Sequence, residues 1–158
     1  MNNLQIDRIL SSIPRTRKNF MGVYNIKFLP IRFFRKNVLV VVNTEENIEK
    51  IGHWVAFYIE SNKIIFFDSF AKHPVLHYGG NIGRLFLNYT QRVIALKKPV
   101  QHPLSSVCGA YVIWFLHNIT TCKNIPKLFK IFKYNDKIRN DNYVKNYLLR
   151  LNKCIKIY

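Results

Sequence analysis

The segment 108–119, CGAYVIWFLHNI, would be apolar on nearly every side of a helix. With about 3.6 residues in each turn, it is long enough for a helix of normal length. A helix that is hydrophobic all round is buried, because it has no face that favours water. The segment therefore predicts a buried helix, and the remaining elements have to cover it.

Three segments upstream have the composition of buried strands. Residues 38–43, VLVVVN, are continuously apolar and β-branched, which is typical of a strand covered on both faces. Residues 53–60 and 63–70 are separated only by Ser61 and Asn62, and this spacing predicts a tight hairpin. A further short strand is expected at 92–99.

Amphipathic patterns indicate helices in the rest of the chain. We expect them at 3–12, 81–91, 125–134 and 142–152. Residues 19–30 mix aromatic side chains with a glycine and end at a proline, which favours a turn or an irregular extended piece. These elements predict an α+β chain of one domain, residues 1–158, in which 122–158 form a basic helical C-terminal part.

Cys108 is the first residue of the predicted buried helix. Free backbone amides and the helix dipole favour negative charge at this end, so a thiolate would be stabilised there. The N–H of Cys108 could donate to an oxyanion, and Gly109 could let the backbone approach a substrate carbonyl. Taken alone, however, a cysteine in an apolar run is more often a small buried residue.

Three polar residues upstream complete the groups needed for nucleophilic catalysis. His53 begins a strand and Asp68 lies near the end of the adjacent one, so a hairpin could let Asp68 orient the imidazole. Gln101 precedes Cys108 by seven residues, and its amide could be a second oxyanion donor. Taken one at a time, His53 fits a core or surface histidine, Asp68 a turn cap and Gln101 a polar loop residue. Together with Cys108 they indicate covalent catalysis by a thiol.

The chain is strongly basic, with 25 Lys and Arg against 8 Asp and Glu and a formal net charge of +17. Such a charge attracts polyanions, so we expect nucleic acid as a partner and binding that weakens with salt. A bias toward Lys, Asn and Ile codons is the alternative, but it does not explain so few acidic residues. The basic segment 122–158 is either the polyanion surface or a solvated outer face.

The three cysteines do not suggest a disulfide framework and fit a reducing compartment. The N-terminal residues lack the apolar core of a secretory signal, and no apolar run has the length of a membrane span. The His and Cys spacings match no common zinc pattern. We therefore expect a soluble intracellular protein that is not secreted, with no membrane partner and no metal or organic cofactor.

The four candidate residues stand in motifs that occur together in one known family. GHWVAFYIE around His53 is similar to the family's Gly-x-His-Trp-x-Ala-Phe strand, and FFDSF around Asp68 stands where the family has Phe-Glu-Pro-Phe. The spacing from Gln101 to Cys108 agrees, as does the run of small residues before Cys-Gly. NFMGVYNIKFLP and VLVVVNT are similar to two further segments. As a set, over about residues 1–125, these motifs resemble the adenovirus endopeptidase (adenain) family.

The resemblance implies a papain-like core of the adenain type, with a central mixed sheet flanked by helices. It implies that Cys108 is the nucleophile, His53 the general base and acid, Asp68 the orienting acid and Gln101 an oxyanion donor. It further implies cleavage of viral structural precursors at Gly-containing sites during particle maturation, and we expect the chain to be a monomer. The expected location is the virion and the nucleus or cytoplasm of the infected cell, with DNA and a short viral peptide as activators.

Two departures from the family pattern affect these expectations. Asp68 replaces a glutamate that is commoner at this position, so the same geometry would need a shifted backbone. The family's cysteine that captures the activating peptide falls near Val93, which cannot form a disulfide. We therefore expect DNA as an activator, and any peptide activator would bind noncovalently or through Cys122 or Cys154.

Two other functions remain open from the sequence. A ubiquitin-like-modifier protease shares the order of the four residues and a preference for glycine, but it usually has Asp before Cys-Gly, where this chain has Val107. A non-catalytic basic protein that binds DNA or a capsid would keep its DNA affinity in Cys108→Ala and would cleave no peptide. The presence of all four candidate residue types argues against this last alternative.

Overall fold

A five-stranded mixed sheet lies at the centre of a computed structural model of the chain, which describes residues 1–155 except 48, 51, 61–62, 90–92 and 123. The strands are β1 (Phe20–Asn25), β2 (Val38–Asn43), β3 (Trp54–Ile59), β4 (Ile64–Phe67) and β5 (Val93–Ala95). They lie side by side in chain order. β3 is antiparallel to both of its neighbours, whereas β1 and β5 are each parallel to the strand beside them.

The predicted strands are confirmed as β2, β3, β4 and β5, although β5 is shorter than 92–99. The hairpin loop expected at Ser61 and Asn62 lies outside the described residues. The prediction of an irregular piece over 19–30 was wrong for its first part, which is β1. This strand pairs with β2 through an irregular register between Phe20 and Gly22. Because its pairing partner is distant in sequence, the local pattern alone does not reveal it.

Six α-helices surround the sheet in the described part of the chain. They are α1 (Asn3–Ser12), α2 (Pro14–Arg17), α3 (Gly80–Tyr89), α4 (Cys108–Ile119), α5 (Ile125–Phe129) and α6 (Lys137–Ile155). α5 is shorter than predicted and α6 begins earlier, because the Asp136 side chain accepts the Arg139 N–H at 2.9 Å and caps the helix. None of the described helices is both long enough and apolar enough to cross a lipid bilayer.

Both faces of the sheet are covered, which explains why β2, β3 and β4 are apolar without alternation. One face, which includes Val41 and Trp54, packs against α1, α4, α5 and α6. The other, which includes Val42 and Val55, packs against α3 and the segment that follows β1. The mixed sheet flanked by helices agrees with the α+β prediction.

The predicted buried helix is confirmed as α4, which lies against β3 and β4. The Phe115 ring stacks on the Phe67 ring with centroids 4.8 Å apart and an interplanar angle of 9°. Phe67 is the last residue of β4, and Asp68 follows it directly. The packing of α4 therefore holds the helix that begins with Cys108 against the strand that leads to Asp68.

Candidate active site

His53 and Asp68 meet because they flank two neighbouring antiparallel strands. His53 directly precedes β3 and Asp68 directly follows β4, so both lie at the same edge of the sheet. His53 Nε2 lies 2.7 Å from Asp68 Oδ1. This contact leaves Nδ1 as the ring nitrogen that can face Cys108. The structure thus brings together the two residues that the hairpin pattern predicted.

Asp68 is almost completely buried, at 1% exposure, and accepts several further hydrogen bonds. Its Oδ1 accepts the Phe70 N–H at 2.8 Å, while Oδ2 accepts the Lys72 N–H at 3.2 Å and the Tyr78 hydroxyl at 2.7 Å. Burial alone would raise the pKa of Asp68, but the hydrogen bond and positive charge of His53 outweigh it, so this pKa is lowered. The carboxylate is therefore held ionised and in a fixed orientation.

The Cys108 thiol is half-buried at the first residue of α4 and is hydrogen-bonded to the His53 side chain. Burial would raise the pKa of Cys108. Its hydrogen bonds with His53 and with the backbone amides of Trp54 and Gly109 outweigh that effect, so this pKa is lowered. Burial would also lower the pKa of His53, yet Asp68 and Cys108 raise it to about 9. These opposite shifts favour a thiolate beside an imidazolium.

The structure gives a reason for a glycine at position 109 that differs from the predicted approach of the backbone to a substrate carbonyl. A Cβ on Gly109 would lie 3.1 Å from both Cβ and Sδ of Met1 and 3.6 Å from Cδ1 of Ile6. The space beside Gly109 is thus filled by the chain's own α1 region, and a side chain there would push Met1 away. The Cys108 N–H, in contrast, donates to no acceptor among the described residues, so it is available to an incoming oxygen.

Gly52 fixes the start of the segment that carries His53. A Cβ on Gly52 would lie 2.6 Å from Cβ of Glu45 and 3.0 Å from Oδ1 of Asn43. The Gly52 N–H donates to the same Asn43 oxygen at 2.9 Å. Only glycine lets the chain pass so close to the end of β2, and this close approach sets where His53 enters the site.

Gln101 lies in the segment between β5 and α4 and is buried, at 1% exposure. Its Oε1 accepts the Ser69 hydroxyl at 2.6 Å, and its Nε2 lies 2.8 Å from the carbonyl and 3.1 Å from the hydroxyl of Ser105. Ser69 follows Asp68 directly, so Gln101 is linked to the acid. To donate to an oxyanion, the Gln101 amide would have to turn an N–H away from Ser105.

The comparisons with known proteins concern the family and the fold of the chain. The profile of the family described as adenovirus endoprotease matches residues 20–155. The chain belongs to the adenovirus endoprotease family. The match extends through α5 and α6, further than the motifs recognised in the sequence.

Two solved structures share the fold at low sequence identity. ChlaDub1 from Chlamydia trachomatis superposes with a TM-score of 0.52 at 14% identity, over 75% of this chain and 62% of that one. The ASFV pS273R protease superposes with a TM-score of 0.52 at 14% identity, over 87% of this chain and 64% of that one. This chain spans less than two thirds of either. A comparison with curated protein sequences found no match.

Tyr78 is a residue of this family member's site that the sequence analysis missed. It ends a short π-helical turn, Pro74–Tyr78, and donates its hydroxyl to Asp68. Burial, followed by the negative charge of Asp68, raises the pKa of Tyr78, so the hydroxyl keeps its proton and remains a donor. No local motif marks this tyrosine, because its partner lies on a different element.

The shifted pKa values predict different pH profiles for two reactions of Cys108. Alkylation by iodoacetamide needs only the thiolate, so its rate should rise below the usual thiol pKa and should not fall at high pH. Peptide cleavage also needs the His53 proton for the leaving amine, so it should decline as pH rises through about 9.

Both profiles can be measured on one preparation over the range that includes the usual thiol pKa and the His53 pKa of about 9. The His53→Ala variant is the control, because the alkylation profile should move to higher pH once the imidazolium is lost. An alkylation profile centred at the usual thiol pKa in the unsubstituted chain would contradict the ion pair.

Proposed function

We propose that this family member is a DNA-stimulated endopeptidase that cleaves viral structural precursors at Gly-containing sites during maturation. The observation that supports it most is the hydrogen-bonded array of Cys108, His53 and Asp68 at the start of a buried helix. Family membership supports the viral context. We further propose the virion and the infected cell as its location.

In the proposed mechanism, the Cys108 thiolate attacks the scissile carbonyl carbon and forms a C–S bond. The carbonyl oxygen becomes an oxyanion, which the Cys108 N–H stabilises together with the Gln101 amide, once that amide has turned an N–H away from Ser105. The imidazolium of His53 then gives its proton to the leaving amine as the C–N bond breaks. Asp68 keeps the ring oriented throughout and stabilises its positive charge.

The thioester left on Cys108 is hydrolysed in the second half of the reaction. Neutral His53 takes a proton from water, whose oxygen attacks the thioester carbonyl. Collapse of this second tetrahedral intermediate breaks the C–S bond, releases the acid product and restores the thiolate beside the imidazolium. The same imidazole thus acts first as an acid and then as a base.

DNA stimulation is supported by the charge of the chain and by the exposed cations of α6. Arg139, Lys145, Arg150 and Lys153 are all exposed on this helix, while its Val144 is buried in the core. One side of α6 packs on the core and another presents cations to solvent, so the structure shows a solvated outer face, and this face supports the proposed polyanion surface. Residues 123 and 156–158 of that segment lie outside the described part of the chain.

The expected result is that duplex DNA at low salt raises cleavage of a fluorogenic Gly-containing peptide, with Cys108→Ala as the blank. If each of the four exposed cations meets one phosphate, DNA affinity falls about 10²-fold between roughly 50 and 200 mM salt. Titration by fluorescence anisotropy at several salt concentrations measures this slope.

The double variant Lys145→Gln, Lys153→Gln should make the slope of log affinity against log salt concentration shallower by about two. Each lost phosphate contact reduces that slope by about one. The matched control is Lys27→Gln, Lys36→Gln, which neutralises two exposed lysines beside the opposite face of the sheet. If both double variants lower DNA affinity equally, the surface is not on α6. If DNA binds but leaves cleavage unchanged, the proposed stimulation by DNA is wrong, whereas the proposed peptidase activity still stands.

A peptide activator, if the virus supplies one, would act on this chain without a disulfide at Val93. Val93 lies on the edge strand β5 with 42% exposure and carries no thiol. Stimulation by such a peptide should therefore persist in a reducing agent. Loss of stimulation on reduction would instead indicate Cys122 or Cys154, both of which are free thiols.

Cleavage of a ubiquitin-like modifier is the second candidate function, and the fold shared with ChlaDub1 favours testing it. Both functions use the same four residues and a glycine at the cleavage site. They differ in the substrate surface, because a modifier protease recognises a folded domain as well as its tail. Faster cleavage of a ubiquitin-like precursor than of the isolated Gly-containing peptide would favour this alternative.

A further inference from the structure

Helix α6 reaches back to the segment that carries Gln101, through the side chain of Asn140. Asn140 Nδ2 donates to the Val100 carbonyl at 2.9 Å and to the Lys133 carbonyl at 2.8 Å. Its Oδ1 accepts the Lys133 N–H at 2.8 Å. Asn140 is 1% exposed. One buried amide therefore ties α6 to the turn before it and to the residue that precedes Gln101.

Asp141, the next residue in α6, contacts the residue that follows Gln101. Its Oδ1 accepts the Tyr111 hydroxyl at 2.9 Å and lies 3.4 Å from the His102 N–H. The Tyr111 hydroxyl is also 3.1 Å from the Val100 carbonyl. Tyr111 lies in the first turn of α4, three residues after Cys108. Asp141 thus connects α6 to the catalytic helix and to the residue that follows Gln101.

The opposite side of the same segment is fixed by Ser69. The Val100 and Gln101 N–H groups donate to the Ser69 carbonyl at 2.9 and 3.1 Å, and the Ser69 hydroxyl donates to Gln101 Oε1. Residues 100–102, which we call the Gln101 segment, are therefore held between the end of β4 and α6. Of its polar backbone groups, the Val100 carbonyl and the His102 N–H depend on α6 and Tyr111.

We propose that Asn140 and Asp141 are positioning residues that fix the backbone on either side of Gln101, so that its amide can turn an N–H from Ser105 to an oxyanion; this inference rests on the proposed cysteine-peptidase mechanism. An oxyanion donor must lie within hydrogen-bond distance of an atom that is charged only in the transition state, so small displacements are costly. Burying an amide and a carboxylate has a desolvation cost, which their hydrogen bonds to the Gln101 segment offset. The C-terminal helix is thereby part of the catalytic apparatus without touching substrate.

Asn140→Asp is the variant that isolates this role. The substituted carboxylate keeps an acceptor for the Lys133 N–H but loses both N–H donors, and it would face the Val100 carbonyl with negative charge. Asn142→Asp is the matched control, because Asn142 is exposed on the same helix and has no side-chain hydrogen bond to another described residue. Both variants make the same change of charge within one turn of α6.

The experiment compares two reactions of Cys108 in the full chain. Acylation by p-nitrophenyl acetate passes through an oxyanion, whereas alkylation by iodoacetamide is a displacement that forms none. We expect Asn140→Asp to lower acylation and peptide kcat about 10- to 100-fold, a part of the 10²–10³-fold lost with a whole oxyanion donor. Alkylation and peptide KM should stay within about twofold, and Asn142→Asp should match the unsubstituted chain.

A parallel loss of acylation and alkylation would overturn the inference, since it would mean that the whole site has loosened. Unchanged acylation would overturn it as well. Asp141→Asn, which keeps the shape and one acceptor oxygen, is the second variant should Asn140→Asp fail to fold, and a smaller selective loss of acylation is expected from it. If the unsubstituted chain is acylated by the ester but cleaves no peptide, the proposed endopeptidase function is wrong. The ratio of the acylation rate to the alkylation rate in each variant still tests the role of Asn140 and Asp141.

Discussion

Replacing Cys108 by serine is expected to lower kcat/KM for peptide cleavage at least about 10⁴-fold, because loss of the nucleophile in a coupled site removes most of the catalysis. The two side chains are similar in size, so the fold should be unaffected. A serine hydroxyl, however, needs a neutral base. In the unsubstituted chain Asp68 and Cys108 raise the pKa of His53 to about 9. The substitution removes the part due to Cys108, but Asp68 still favours the protonated ring, which is a poor base for the serine hydroxyl. Steady-state hydrolysis of the Gly-containing peptide measures the loss.

The same substitution at the two other cysteines provides the control. Cys122 is half-buried and Cys154 is exposed, and both are free thiols away from His53. Cys122→Ser and Cys154→Ser should each keep kcat/KM within about twofold, as surface changes usually do. Substantial activity in Cys108→Ser would show that Cys108 is not the nucleophile, and a large loss in either control would show that the effect is not specific to Cys108.

Replacing Asp68 by asparagine is expected to lower kcat/KM about 10²- to 10⁴-fold, by analogy with the acid of a serine-protease triad. The change keeps the shape but removes the charge that raises the pKa of His53. The pKa of His53 should fall, so the midpoint of the alkaline decline of cleavage should move below about pH 9. His53 would then be protonated less often and would stabilise the thiolate less, so the pKa of Cys108 should rise. The active pH range therefore narrows from both sides.

The measurement for Asp68→Asn is the pair of pH profiles for cleavage and for alkylation by iodoacetamide. Asp7→Asn makes the same change at a partly buried position of α1, outside the hydrogen-bonded array around His53. Its profiles should match those of the unsubstituted chain. If Asp68→Asn loses activity but keeps both profiles, Asp68 has only a structural role.

The sequence alone was sufficient for much of the sheet and for part of the site. Continuous apolar segments predicted β2, β3 and α4, because burial on both faces leaves a strong compositional signal. The hairpin spacing also predicted the meeting of His53 and Asp68, since both residues lie close together in the chain. These inferences needed only local patterns and the alternation of strand direction.

Other features depend on contacts between distant segments and left no local signal. β1 was missed because only its pairing with β2 makes it a strand. Tyr78 and Asn140 looked like ordinary polar residues, since their partners Asp68 and Val100 lie on other elements. Gly109 was assigned to substrate approach, whereas packing against the α1 region explains it. These features depend on tertiary contacts, which the periodicity of the sequence does not reveal.

The order of the site residues along the chain also has a consequence for synthesis. Chains emerge from the ribosome N-terminal end first, so the segments that hold His53 and Asp68 appear before Cys108, and α6 appears after all of them. A nascent chain can pair its acid and base while it still has no nucleophile. The Gln101 segment gains its support from α6 later still. Under the proposed function and the proposed role of α6, translation order would delay full peptidase activity until α6 has been made and docked.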